Sequence, residues 1–225
     1  MKVSYLSISE KRCTIQFYGC NFRCRACFAD NEGYTEVTPE WLSAKIKQFD
    51  VEEIMLAGGE PTIYKKAIVD LVKSCDTKTI LSTNGHLVDG KFIQEMEQSG
   101  LDEVHIDLKA YSQNLHAWYT GQSNKNVLTA IELLNNSNLN FEVITVFIPG
   151  LIDKEEIEKI ADFLSCINDN MDYRIIRYVP VGDISRRPTE SEIKEAVTIA
   201  EKYLRSVTSS LDERRHPVKR FRVFV

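Results

Sequence analysis

Short β-type runs alternate with segments of helical period along this chain, and that alternation restricts its fold more than any other feature. The runs occupy residues 14–19, 53–57, 79–82, 103–108, 141–148 and 173–179. Between them, Leu42, Ile46 and Phe49 fall on one helical face, as do Ile157, Ile160, Ala161 and Leu164, and Ile193, Val197, Ala200 and Leu204. Thr38-Pro39 reads as a helix start and Gly100 as a stop. Strands separated by helices are brought side by side through crossovers, which makes them parallel and places the helices over the sheet. Six such units predict an α/β fold with a mostly parallel sheet and helices outside.

With 225 residues, of which 43% are hydrophobic, the chain can bury its core as one domain. The expectation is a single domain over 1–225, with a core at about 14–207 and a C-terminal strand at about 218–225. A net charge of -5 and a pI near 5.5 argue against a nucleic-acid surface over the whole molecule. No apolar run approaches the ~18 residues that span a bilayer, and residues 1–10 lack the apolar centre of a signal peptide. The chain is therefore expected to be cytoplasmic, without a membrane partner.

Cys20, Cys24 and Cys27 follow the first β-type run in the spacing Cys-x3-Cys-x2-Cys. A structural zinc takes four ligands, and electron-transfer clusters usually take four cysteines. Three thiolates on one short loop therefore suggest a 4Fe-4S cluster with one iron left open to a substrate or cosubstrate. The competing reading is part of a zinc site completed by a distant His or Cys. Cys75 and Cys166 lie within helical patterns and read as buried thiols acting as small hydrophobes, whereas Cys13 is unassigned.

Further motifs follow further runs: Gly58-Gly59-Glu60-Pro61, Ser82-Thr83-Asn84-Gly85 and Asp107-Leu108-Lys109. In parallel α/β sheets ligands bind at the carboxyl ends of strands, so these loops should converge on one mouth. With the cysteine loop, they resemble the radical S-adenosylmethionine (radical SAM) superfamily. The segment Tyr119-Thr120-Gly121-Gln122-Ser123-Asn124, then Val127-Leu128, is similar to the subgroup of glycyl-radical enzyme activases, with pyruvate formate-lyase activating enzyme as its best-known member. The resemblance implies a partial (β/α)6 barrel, curved and open on one side. It implies one 4Fe-4S cluster per chain, because no inserted ferredoxin-like cysteine set is present, and S-adenosylmethionine (SAM) as cosubstrate. It also implies an electron donor such as flavodoxin or ferredoxin and a glycyl-radical enzyme as protein substrate.

By the same resemblance, Cys20, Cys24 and Cys27 hold the cluster, and Gly58, Gly59, Glu60, Ser82, Asn84, Asp107 and Lys109 bind SAM. The glycines let backbone approach the ammonium, while Glu60 adds an acceptor or fixes the turn. Lys109 matches the methionyl carboxylate, Asp107 a polar group of SAM, and Ser82 and Asn84 the ribose or methionyl end. Simpler alternatives are a strand-end turn at Gly58-Gly59 and a salt bridge between Asp107 and Lys109. His86, His105, His116 and His216 read as pocket or surface residues rather than ligands.

The sequence departs from the subgroup at three places. Residues 8–13 replace an Asp-Gly-Pro-Gly-like segment, Ala26 stands where an aromatic is common, and Ser82 replaces an Asp that helps to hold a small cation. Adenine packing then falls to Phe22, Phe28 or another side chain. Besides an activase, a radical SAM enzyme acting on a small molecule or peptide fits the same motifs, and a non-catalytic metal-binding protein is a third reading. Arg214, Arg215, His216, Lys219, Arg220 and Arg222 make the C-terminus basic. They are either the solvated face of a last strand or, with Arg186 and Arg187, a surface for an acidic partner.

Overall fold

The computed structural model describes residues 1–9, 11–29, 33–212 and 221–223. Its elements are β1 (Lys2–Ile8), β2 (Arg12–Phe17), β3 (Thr35–Glu36), α1 (Pro39–Ile46), β4 (Glu53–Gly58), a 3-10 turn (Pro61–Tyr64), α2 (Lys65–Lys73), β5 (Lys78–Thr83), α3 (Gly90–Ser99) and β6 (Glu103–Asp107). They continue with α4 (Gln113–Thr120), α5 (Lys125–Asn135), β7 (Asn140–Phe147), α6 (Lys154–Ile167), β8 (Asp172–Arg177), α7 (Glu190–Ala200), β9 (Ser206–Ser209) and β10 (Phe221–Val223). The sheet order is β10-β1-β2-β4-β5-β6-β7-β8-β9, with β3 also paired to β1. From β2 to β9 every neighbour is parallel, while β1 is antiparallel to β2, β3 and β10. Among the described residues no pairing joins β9 to β10 or β3, so the sheet is open, as a partial barrel is.

Alternation along the strands decides the layers. Ile15, Phe17, Ile54, Leu56, Val104, Ile106, Val143 and Ile175 are buried with Leu42, Ile68, Phe92, Ile131, Ile160 and Ile193 of the helices in one core. The opposite strand positions, such as Gln16, Ser82, His105 and Glu142, are half-buried and polar. A barrel interior packed shut would not tolerate that set. Local chemistry sets the helix starts: Thr38 accepts from the Trp41 N–H at 3.2 Å, Asp89 from that of Phe92 at 2.8 Å, and Thr189 forms a capping box with Glu192.

Three strands were not visible in the hydrophobic pattern, whereas β10 falls within the C-terminal strand expected at about 218–225. Strand β1 carries a shift in register between Val3 and Tyr5, which breaks its period of two. Strands β3 and β9 are two and four residues long, too short to show a period. The cysteine expectations also need correction. Cys166 is exposed on α6 and Cys75 is half-buried just past α2, whereas Cys13 on β2 is the fully buried thiol, among the residues that face the helices. Of the basic C-terminal residues, Arg214, Arg215, His216, Lys219 and Arg220 lie outside the described residues. Arg222 holds its guanidinium 4.4 Å from the Tyr5 ring centre.

Candidate functional site at the carboxyl ends of the strands

The loops after β2, β4, β5 and β6 meet at one end of the sheet. Cys20, Cys24, Cys27, Phe28, Gly58, Gly59, Glu60, Ser82, Asn84, Asp107 and Lys109 line one cavity of about 300 Å³. Every residue expected at a cofactor site from the sequence thus reaches the same space, although not all present free groups to it.

The two glycines serve the protein's own backbone. Gly58 has φ +106, and a Cβ at Gly59 would lie 2.0 Å from the Gly19 carbonyl oxygen. The chain passes that close because Gly59 N–H donates to Phe17 O and Glu60 N–H to Gly19 O, both at 2.8 Å. This pair of bonds fixes the start of the cysteine loop against the end of β4.

Glu60 is 1% exposed. Its Oε1 accepts from Thr62 N–H at 3.0 Å, from the Thr62 hydroxyl at 2.6 Å and from the Thr83 hydroxyl at 2.6 Å, and its Oε2 accepts from Asn84 N–H at 2.7 Å. Burial pushes the Glu60 carboxyl up, and these donors oppose the shift. Of the two roles left open, the one observed is fixing the turn. Asn84 is likewise engaged: its side-chain N–H groups reach Asn21 Oδ1 at 2.8 Å and Cys20 Sγ at 3.7 Å, and its Oδ1 accepts from His86 N–H at 3.0 Å.

Lys109 Nζ lies 3.0 Å from Asp107 Oδ2, so the strand-end salt bridge is present inside the cavity. Burial alone would push the Lys109 ammonium down, but Asp107 and Cys24 beside it hold it above its usual range. Burial pushes the Cys24 thiol up to about 11, against the pull of Lys109. Cys20 is raised by burial as well, against an N–H from Phe22. Taking a metal here must release protons.

The cysteine loop is strapped to α4 as well. Arg23 N–H donates to Thr120 O at 2.8 Å and Arg25 N–H to Tyr119 O at 3.0 Å, while the Arg25 guanidinium lies 4.3 Å from the Trp118 ring centre. Tyr119, another cavity residue, has its hydroxyl 3.4 Å from Ala26 O, and burial pushes its pKa up to about 12 against the pull of Lys109. Phe22 is wedged between the rings of His86 and His116, at 5.4 and 5.6 Å, and is 5% exposed. Phe28 is 57% exposed and 6.2 Å from Tyr178, which leaves it the freer aromatic face on the cavity. His116 Nδ1 contacts Gln122 O at 2.8 Å, and burial lowers its pKa. His105 contacts Glu103 at 2.9 Å, on β6 two residues before Asp107.

Asn21, Thr62, Thr83, Tyr119, Val146 and Ile176 also build the site and were not singled out for it in the sequence. Two of them had a signal: Tyr119 opens the segment similar to the activases, and Thr83 lies inside the motif Ser82-Thr83-Asn84-Gly85.

The donor chemistry fits an anionic cluster. Three thiols share one wall, Phe22 N–H reaches Cys20 Sγ at 3.3 Å, Ala29 N–H reaches Cys27 Sγ at 3.4 Å, and the buried Asn21 Nδ2 has no partner among the described residues. Among the described residues, no three His, Cys, Asp or Glu side chains are grouped as a single metal ion requires. Thiolates that each bind a different iron need no such grouping.

Known proteins agree with this geometry. A family model described as the radical SAM superfamily matches residues 14–164. A protein of Methanocaldococcus jannaschii, provisionally described as a glycyl-radical enzyme activating enzyme, is 38% identical over 96% of this chain and 87% of its own. A protein of Archaeoglobus fulgidus, also provisionally described, as a GTP 3′,8-cyclase, is 24% identical over 84% of this chain and 65% of its own. Among solved structures, a domain of pyruvate-formate lyase-activating enzyme from Bacteroides vulgatus superposes with TM-score 0.61 at 20% identity, over 69% of this chain and 97% of that domain. Matched by the family model over most of its length and by a relative over nearly all of it, this chain belongs to the radical SAM superfamily, enzymes that use a 4Fe-4S cluster and SAM.

Proposed function

We propose that this enzyme cleaves SAM reductively and is an activase for a glycyl-radical protein. The observation that carries the reading is the placement of Cys20, Cys24, Cys27, Asp107 and Lys109 around one cavity. When bound, the cluster and SAM together supply one-electron cleavage to methionine and a 5′-deoxyadenosyl radical that takes hydrogen from the substrate.

The chain's own residues bind and orient. Cys20, Cys24 and Cys27 hold three irons. Lys109 offers a cation to the methionyl carboxylate, with Asp107 keeping it charged and placed, and the Ser82 hydroxyl faces the same cavity. The backbone at Gly58 and Gly59 forms the wall nearest the cysteine loop, and Phe28 offers a ring face to adenine. Glu60 and Asn84 hold that wall together. An external electron donor, such as flavodoxin or ferredoxin, completes the requirement, and a cytoplasmic setting suits it. Among the described residues no helix is long and apolar enough to cross a membrane.

The activase reading is supported by the M. jannaschii relative, which this chain matches along most of both lengths. A small-molecule reading is supported by the A. fulgidus relative, yet about a third of that protein lies outside the match. Anaerobically reconstituted, reduced enzyme should release 5′-deoxyadenosine and methionine from SAM. Candidate glycyl-radical proteins would then be tested by electron paramagnetic resonance for a glycyl radical. Absence of 5′-deoxyadenosine refutes the enzymatic reading. Turnover of GTP or a peptide without any glycyl radical refutes the activase.

A further inference from the structure

We infer that Asn84 is a positioning residue of the cysteine loop, whose side-chain amide donates to the sulfur of Cys20 and thereby raises the reduction potential of the cluster. The inference rests on Cys20, Cys24 and Cys27 being the cluster ligands.

An asparagine side chain has two N–H donors and one carbonyl acceptor. At Asn84 all are used within the protein: the donors on Asn21 Oδ1 at 2.8 Å and Cys20 Sγ at 3.7 Å, the acceptor on His86 N–H at 3.0 Å. No donor is left for the ribose or methionyl end of SAM, the role its motif suggests. Asn84 instead ties the end of β5 to the loop that follows β2. Its backbone is anchored too, because its N–H donates to the buried Glu60 carboxylate at 2.7 Å. Glu60 also accepts from Thr62 and Thr83, so the carboxylate that anchors the Asn84 backbone is itself held in place.

The contact suits a thiolate better than a thiol. As a thiol, Cys20 directs its S–H toward Asn21 Oδ1 at 3.8 Å. Ligation removes that hydrogen, and the sulfur then faces two N–H groups, those of Phe22 at 3.3 Å and Asn84 at 3.7 Å. Cys27 Sγ receives one, from Ala29 at 3.4 Å, and none to Cys24 Sγ is found among the described residues. A donor on a ligand sulfur stabilises the more negative, reduced cluster and so raises its potential. Phe22 N–H belongs to the cysteine loop itself. Asn84 reaches the sulfur from another strand, and its contribution can be removed without altering the loop sequence.

The test is a potentiometric titration of the reconstituted cluster, followed by electron paramagnetic resonance without SAM, in wild type, Asn84→Ala, Asn84→Asp and Asn21→Ala. Both Asn84 variants should lower the potential, by about tenfold in the reduction equilibrium, which is 59 mV for one electron. Asn84→Asp keeps an acceptor for His86 N–H and carries the test if the alanine variant does not fold. Asn21→Ala removes the 2.8 Å acceptor that orients the Asn84 amide, together with an Nδ2 that has no partner among the described residues, so the potential should fall here too, by less than in the Asn84 variants, and iron should be lost faster to a chelator. SAM affinity is measured on the same samples. Wild-type potentials in both Asn84 variants, with SAM affinity falling instead, would show that Asn84 contacts SAM and overturn the inference. A wild-type chain that takes up no iron overturns the cluster reading itself, and this inference with it.

Discussion

Replacing Gly59 by alanine isolates the packing that holds the cysteine loop. The added Cβ would sit 2.0 Å from Gly19 O, 2.8 Å from Gly19 C and 3.1 Å from Phe17 O, all backbone atoms that no side-chain rotation can clear. Reaching ordinary contact at 3.4 Å requires the two strands of chain to separate by about 1.4 Å. The 2.8 Å bonds from Gly59 N–H to Phe17 O and from Glu60 N–H to Gly19 O then stretch beyond hydrogen-bonding range. Two lost hydrogen bonds contribute about 1–3 kcal/mol. Strain from overpacking adds about 1–3 kcal/mol, a total of about 2–6 kcal/mol out of a typical 5–15. For a chain of this size, Tm should fall by roughly 8–16 °C at the middle of that range. Thermal and urea unfolding of the metal-free protein gives the stability, and iron content after anaerobic reconstitution reports the loop. Gly90→Ala is the control: nothing lies within 4 Å of its added Cβ, and α3 begins there, so it should stabilise by about 0.4–1 kcal/mol. The reasoning is refuted if Gly59→Ala unfolds within about 0.5 kcal/mol of wild type and still takes up full iron.

Anaerobic reconstitution should yield about four irons per chain, and any one of Cys20→Ala, Cys24→Ala or Cys27→Ala should abolish the cluster; stoichiometric zinc without iron uptake would contradict this. Lys109→Ala should weaken SAM binding about 10- to 150-fold, equivalent to ~1.5–3 kcal/mol, as read by equilibrium dialysis, and unchanged affinity rules out the carboxylate role. Burial pushes the Cys13 thiol up to about 12, so at pH 8 it is almost wholly protonated, and only the thiolate reacts. Iodoacetamide should therefore label the exposed Cys166 at least about a hundredfold faster than Cys13 in the native protein, and equal rates by mass spectrometry would refute the burial argument.

The sequence revealed the parallel part of the sheet because strands buried on the helix side carry long apolar sets. Ile54 and Leu56 on β4, or Val143 on β7, are buried against helices whose own faces repeat with period 3.6. It did not reveal β1, whose register shifts between Val3 and Tyr5, nor the short strands β3 and β9. Chemical identity was legible at the site, since Cys20, Cys24, Cys27, Asp107 and Lys109 all reach the cavity. Partnership was not. That Glu60 meets Thr62, Thr83 and Asn84, and that Tyr119 and Thr120 receive N–H groups from Arg25 and Arg23, depends on which loops lie side by side. Spacing within one loop carries no information about that. Cys75 and Cys166 were misjudged for the same reason, because burial of a thiol depends on the neighbour opposite and not on its own helical or strand period.

These partnerships divide the site into residues that hold its shape and residues left free to act. A buried carboxylate costs several kcal/mol unless its oxygens are satisfied, and Glu60 meets that condition with four donors from two loops and, among the described residues, no cation. Such a group is fully employed in the folded chain, and drawing it toward a ligand would leave Thr83 and Asn84 unpaired. Lys109 differs. Among the described residues its single ion-pair partner, Asp107, occupies one of three ammonium donors, so a second anion can bind without breaking the first contact. Ser82 and Phe28 likewise line the cavity, Ser82 with no side-chain hydrogen bond among the described residues and Phe28 against the Tyr178 ring alone among them. Under the proposed function, recognition of the cosubstrate would therefore rest on Ser82, Lys109 and the ring of Phe28, while Gly59, Glu60 and Asn84 fix how far the cysteine loop stands from them.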